Sequence, residues 1–141
     1  METPVSSIHD LDLTMQLLHK VLDLRTKNQE VISSNIANAE TPGYAARSFT
    51  FENALRDAVS HTGLHTVAVH ANHIPVTSNS LRHVDGTVTV TRDTAGIGDR
   101  NTVSVDQEMV KLSENEILYE AAVTMLNKKL ALLKYAANGG V

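Results

Sequence analysis

Ser34-Asn35-Ile36-Ala37-Asn38-Ala39-Glu40-Thr41-Pro42-Gly43-Tyr44 decides the fold, because a long N-terminal helix has to stop inside it. Asn38 suits the end of that helix, since Asn tolerates left-handed geometry. Thr41 precedes Pro42 and is pushed out of helical conformation. Pro42-Gly43 fits the central positions of a type II turn, with Gly43 supplying a positive φ. The chain is expected to leave the helix axis through Tyr44.

Upstream, from about Ile8 to Asn38, there is neither Pro nor Gly. Leu11, Met15, Leu18, Leu22, Ile32 and Ile36 recur in steps of four and three, with Arg25 and Gln29 in the middle of the line. Leu17, Val21, Leu24 and Val31 form a neighbouring line. Such a helix is roughly 45 Å long.

Downstream, Phe51, Ala54, Leu55, Ala58 and Val59 mark a short amphipathic helix that ends near Gly63. Val67 and Val69 alternate with Ala68 and His70, a weak strand signal. Leu81 to Val84, Asp85-Gly86, then Thr87 to Thr91 read as a β-hairpin closed by a turn that accepts positive φ. Asp93 to Asn101, with Gly96 and Gly98, reads as a mobile loop.

The C-terminal third is the clearest helix. Ser104 and Gln107 have capping-box spacing, and Asp106 and Glu108 favour the positive end of the helix dipole. Met109, Leu112, Glu116, Tyr119, Val123, Leu126, Leu130, Leu133 and Ala137 follow three-four spacing, and Gly139-Gly140 ends the run. Beside this seam runs a second line of Leu118, Ala122, Met125, Leu132 and Ala136. Two adjacent seams make a stripe wider than one partner helix covers. The plain reading is an antiparallel helix pair inside one monomer. The middle region, however, has too few large apolar residues to cover the second line, so packing among copies is expected. Glu116 falls on the main seam, and a buried carboxylate there needs a cation, Arg25 or Lys27 of a neighbouring subunit.

Composition limits the alternatives. The 141 residues carry a net charge of −4, with 42 % hydrophobic and only 4 % aromatic residues, so the core must be aliphatic and nucleic-acid binding is not favoured. Cysteine is absent, which removes disulfides and thiolate chemistry. No segment has the length and apolarity of a membrane span, and Met1 to Ser7 lacks the pattern of a cleaved signal peptide. Of seven histidines, His61, His65, His70, His73 and His83 lie in the middle region. His61 and His65 have metal-ligand spacing, but Gly63 between them and the lack of a His-Glu-x-x-His arrangement favour a solvated loop. Glu114, Glu116 and Glu120 read as helix-surface charges near Lys111, Glu116 being the exception that falls on the seam, and Lys128-Lys129 as solvated helix face. No catalytic, cofactor-binding or metal-ligating residue is assigned, and no small-molecule substrate is expected.

The stretch that ends the first helix resembles the signature of the flagellar axial proteins, the rod, hook and hook-associated family, whose N-terminal helix ends in Asn-Ile-Ala-Asn-x-x-Thr-Pro-Gly-Tyr. Asn35, Ile36, Ala37, Asn38, Thr41, Pro42, Gly43 and Tyr44 match it. Leu24-Arg25, Gln29-Glu30, Ala46-Arg47, Phe51, Asn101, Val105-Asp106, Glu108-Met109 and Leu118 to Ala122 look most like the proximal members of the flagellar basal-body rod protein family. The likeness covers both terminal thirds and leaves the middle unmatched. It implies a periplasmic rod subunit, exported without a cleaved signal by the flagellar type III apparatus, whose terminal segments become coiled-coil helices on assembly. It implies, as partners, further copies and other rod proteins, the rod-base adaptor, the membrane ring and the export gate. A coiled-coil adaptor or chaperone of a type III export system is the alternative.

The expected fold is mainly α: long N- and C-terminal helices forming a coiled-coil-like pair, plus a small middle region with a short helix and β-hairpin. Residues 1–40 form an N-terminal assembly helix, 41–103 a variable middle region, and 104–141 a C-terminal assembly helix. The eight matched residues form the assembly motif. Leu18, Leu22, Ile32, Met109, Leu112, Glu116, Tyr119, Val123, Leu126, Leu130 and Leu133 form the expected assembly seam.

Overall fold

In this computed structural model the described backbone covers residues 4–63, 81–94 and 98–139, and the described side chains cover 13–60, 81, 83–94 and 98–139. Helix α1 (Pro4–Ala37) begins at a proline, whose missing N–H costs nothing in a first turn. Helix α3 (Val105–Ala137) runs back along it. The direction follows from the contacts: Asn28 meets Asn115 and Asn35 meets Glu108, so rising numbers on one helix pair with falling numbers on the other. Among the described residues no helix is long and apolar enough to cross a membrane.

Strand β1 (Ala46–Thr50), helix α2 (Glu52–Gly63), a 3-10 turn (Leu81–His83) and strand β2 (Thr87–Thr91) lie between the two long helices in sequence. At the start of α2, the Glu52 carboxylate accepts the Phe51 N–H at 3.1 Å, while Phe51 C=O accepts the Leu55 N–H. Leu24, Phe51, Ala58, Leu81 and Val84 form the buried core, with Leu13, Leu17, Phe49 and Leu55 packed against it. This cluster fastens the middle region to the flank of α1. The Phe49 and Phe51 rings lie 5.5 Å apart, and the Arg25 guanidinium sits 4.8 Å from the Phe51 ring centre. Aromatic and cation–π contacts thus supplement a core short of aromatic bulk.

The mainly α architecture, the long terminal helices, the short middle helix and the antiparallel strand pair are all present. The strand pair is closed differently from expectation. Leu81 to His83 is a 3-10 turn, and β2 pairs instead with β1, Ala46 opposite Thr91 and Thr50 opposite Thr87. Neither Asp85 nor Gly86 takes a positive φ. The glycine serves another purpose: a Cβ at Gly86 would land on the Phe49 ring.

Two end-caps also differ. Asn38 is not left-handed; its side chain turns back, giving Nδ2 to Ser34 C=O at 2.8 Å beside its own backbone N–H at 3.2 Å, so a side-chain amide reinforces the backbone cap. Ser104 is the first-residue cap of α3 in position, but its hydroxyl makes no capping hydrogen bond. The Thr41–Tyr44 turn is as expected: Tyr44 N–H donates to Thr41 C=O, and Gly43 has φ +74°. The alternation at Val67 to His70, and the side chains of His61, His65, His70 and His73, lie outside the described residues. So do residues 95–97 of the expected mobile loop.

The two glycines should fail differently. Gly43→Val meets open space, so its cost, roughly 1–3 kcal/mol, is backbone strain alone. Gly86→Val should cost a similar ~1–3 kcal/mol through displacement of Phe49. Near-ultraviolet circular dichroism should change for Gly86→Val and not for Gly43→Val, with urea melts giving both losses.

Candidate functional site

Asn35 occupies the centre of the site, fully buried where α1, β1 and α3 meet. Its Nδ2 donates to Arg47 C=O at 2.6 Å and to Glu108 Oε2 at 2.8 Å. Its Oδ1 accepts the Arg47 N–H at 3.0 Å and the Tyr44 hydroxyl at 3.4 Å. A primary amide has two donor hydrogens and two acceptor lone pairs, and all four are used. One side chain therefore ties the end of the first helix, the start of the middle region and the start of the last helix.

Glu108 is 3 % exposed, and its other oxygen receives Lys111 Nζ at 2.6 Å. A buried carboxylate is tolerable only with such partners. From the loop before α3, Asn101 closes the same C-terminal end of α1. Its Nδ2 reaches the carbonyls of Asn38, Ala39 and Thr41 at 2.8–2.9 Å, one hydrogen being shared, while its Oδ1 accepts the Val103 N–H. Gly43 N–H donates to Asp99 C=O at 2.7 Å. Thr102 Oγ1 accepts the Ala46 N–H and donates to Thr91 C=O, extending the β-ladder by one hydroxyl.

A second polar layer lies seven residues along each helix. Asn115 is 1 % exposed; its Oδ1 accepts Asn28 Nδ2 at 3.0 Å, and its Nδ2 donates to Arg25 C=O at 3.0 Å. Arg25 lies over this layer, its Nη1 3.4 Å from Glu52 Oε1 and 3.5 Å from Asn115 Oδ1. The two layers fix the register of the helix pair. A one-heptad slip would bring Asn115 against Val21, leaving a buried amide without its partner, which is the way single polar residues specify coiled-coil register.

The line of α3 that faces α1 is therefore Glu108, Asn115 and Ala122, all buried, with Leu112 and Tyr119 half-buried between them and Leu126 half-buried just beyond. Val123 and Leu133 are half-buried as well. Of the expected assembly seam, Met109, Glu116 and Leu130 are exposed in the single chain, one position away from the polar line that faces α1. The physical reason is that the inward positions are polar and mutually satisfied, so an apolar reading rotates the helix past them. Within the single chain the buried carboxylate is Glu108, and Arg25 is engaged by Asn115 and Glu52. The clue in sequence was the matching seven-residue interval of Asn28 and Asn35 on one helix and Glu108 and Asn115 on the other. On α1, Leu18 and Ile32 are buried and Leu22 is half-buried. Of the assembly motif, Asn35 is buried, Ile36, Asn38 and Tyr44 are half-buried, and Ala37, Thr41, Pro42 and Gly43 are exposed.

Outside the pair, Leu118, Met125 and Leu132 are 48–62 % exposed and stand seven residues apart on one flank of α3. Ile117 and Tyr135 are exposed beyond them. Next to the pair, Met15, Leu81, Leu126 and Leu130 line an open groove of about 510 Å³. Among the described residues no cluster of His, Cys, Asp and Glu has metal-binding geometry.

The sequence profile of the family described as "Flagella basal body rod protein" matches residues 22–44, which run from the middle of α1 through the turn that Asn101 caps. Curated relatives extend the likeness to most of the chain. The flagellar basal body rod protein FlgB of Aeromonas hydrophila is 35 % identical over 118 residues, 84 % of this chain and 87 % of the relative. Its counterpart in Salmonella typhimurium is 31 % identical over 135 residues, covering 92 % and 96 %. That of Bacillus subtilis is 32 % identical over 127 residues, covering 90 % and 95 %. No chaperone or adaptor stands among these relatives, so the alternative reading gains no support.

Asn35→Ala should strand the Glu108 carboxylate oxygen and the Arg47 backbone groups, at about 1–3 kcal/mol for each buried group left unpaired. Urea unfolding should report the loss. Hydrogen exchange at the Arg47 amide should accelerate even where the long helices persist.

Proposed function

Because the chain belongs to the family of the flagellar basal body rod protein FlgB, and is a structural subunit of that rod, we propose that it builds the proximal segment by side-to-side packing of α3. Supporting this reading is the line of Leu118, Met125 and Leu132, large apolar side chains left in water by the chain's own fold. A fully exposed Leu or Met gains about 1.5–3 kcal/mol on full burial, and these, already about half covered, gain roughly half of that. Three to a helix, repeated on every neighbour, give an interface that is strong in sum and distributed along its length.

Distribution suits the mechanical task. A rod under torque must share load among many contacts, and a heptad-spaced line on a rigid helix pair offers them at regular intervals. The polar layers keep the pair from sliding when its outer face is loaded. Copies packed around an axis would leave a lumen for export. In this reading the subunit lies in the periplasm and reaches its place through the flagellar type III apparatus without a cleaved signal. Its neighbours are further copies, other rod proteins, the rod-base adaptor, the membrane ring and the export gate. Glu116, exposed on α3, is then free for a cation of the next subunit. Lys27 is the better partner, since Arg25 is already engaged. Its work is structural, with no catalytic step.

Met125→Asp tests the proposal at an exposed position. Surface substitutions of this kind leave stability within about 0.5 kcal/mol. The variant should therefore keep the wild-type helix content and melt, yet fail to enter isolated basal bodies and fail to restore swimming. Normal incorporation and motility would overturn the proposed interface. Leu126→Asp, half-buried against α1, should instead lower the stability of the free subunit as well.

A further inference from the structure

The outer edge of β2 is open among the described residues, since the sheet has two strands and β2 pairs only with β1. Ladder parity says which groups face that opening. Arg47 directs both its N–H and its C=O to Asn35, so the pairs Arg47–Val90 and Phe49–Val88 are the non-hydrogen-bonded ones. By the same alternation, the N–H and C=O groups of Val88 and Val90 point away from β1. All five residues of β2 are exposed, the two valines by half. The strand carries no charge, no proline and no bulge, the usual devices that blunt an edge.

Thr87-Val88-Thr89-Val90-Thr91 reads the same in both directions. When two copies meet antiparallel about Thr89, Val88 faces the second copy's Val90, and Thr89 faces the second copy's Thr89. That register is also the one in which the outward backbone groups of Val88 and Val90 pair completely, forming four hydrogen bonds. Four valines then share one face with the two Phe49 rings, and the threonines share the other. A sequence palindrome and a backbone parity that select the same two-fold centre are independent features.

We propose that β2 joins two copies of this chain edge to edge, through an isologous antiparallel contact centred on Thr89, into a four-stranded sheet. Such a contact closes on itself. It cannot extend along a polar stack, so it belongs to the subunit before it enters the rod and does not depend on the α3 interface. Pairing would also cover an uncharged strand of high β-propensity that is otherwise open to aggregation.

The test uses the full chain, which has no cysteine of its own. Thr89 lies at a non-hydrogen-bonded pair of the proposed contact, where Cα atoms approach to about 4.5 Å, within disulfide range. Thr89→Cys should form a covalent dimer under mild oxidation about tenfold faster than Thr94→Cys, an exposed control beyond the strand. In sedimentation, wild type should dimerise, Thr89→Lys and Thr89→Glu should each run as monomers, and their mixture should dimerise again. Equal cross-linking at both cysteines, a monomeric wild type, or dimers that survive Thr89→Lys would overturn the proposal. So would slow exchange at the Val88 and Val90 amides in a monomer, which would put another part of the same chain on this edge.

Discussion

Asn35 holds the rest of the structure in place because it is buried, neutral and fully satisfied by three different segments. Remove its amide and the chain loses the joint between α1, β1 and α3 together. The neighbouring carboxylate is acceptable in the interior only because that amide and Lys111 surround it. A hydrophobic residue at this point could fill the space but could not organise four hydrogen bonds in fixed directions. The turn that follows is held by the same logic, with the Asn101 side-chain amide closing carbonyls that the end of α1 leaves open.

Sequence patterning reached the parts of this fold governed by local rules. The turn at Thr41 to Tyr44 was legible because one position needs a positive φ and glycine occupies it. The long helices were legible because their period is local. Pairing was not. Thr87 to Thr91 has unmistakable strand character, but its partner lies 41 residues away, Ser48 opposite Thr89, and nothing in the adjacent Leu81 to Val84 says that it is a 3-10 turn instead. Gly86 looked like a turn residue and is in fact the gap that Phe49 fills. The inward face of α3 lies one position from the apolar seam for a similar reason. Glu108 and Asn115 are polar, and only their partners on α1 make them interior residues.

The division of labour between the two faces of α3 follows from those partners. Polar layers contribute modest net stability but exclude other registers, since each misplaced amide or carboxylate would lie buried and unpaired. The inner face thus supplies precision. The outer face carries Leu118, Met125 and Leu132, which contribute burial without directional demands. A subunit that must be internally rigid and externally adhesive benefits from that separation. The small core around Leu24 and Phe51 attaches the middle region to α1, away from this apolar line.

The central claim is that a register-locked helix pair leaves the Leu118, Met125 and Leu132 line for neighbouring subunits to cover. Hydroxyl-radical footprinting of Met125, half exposed in the single chain, measures this directly. Met125 should oxidise readily in the purified subunit and be strongly protected in isolated basal bodies. Equal oxidation of Met125 in the two states would contradict the account.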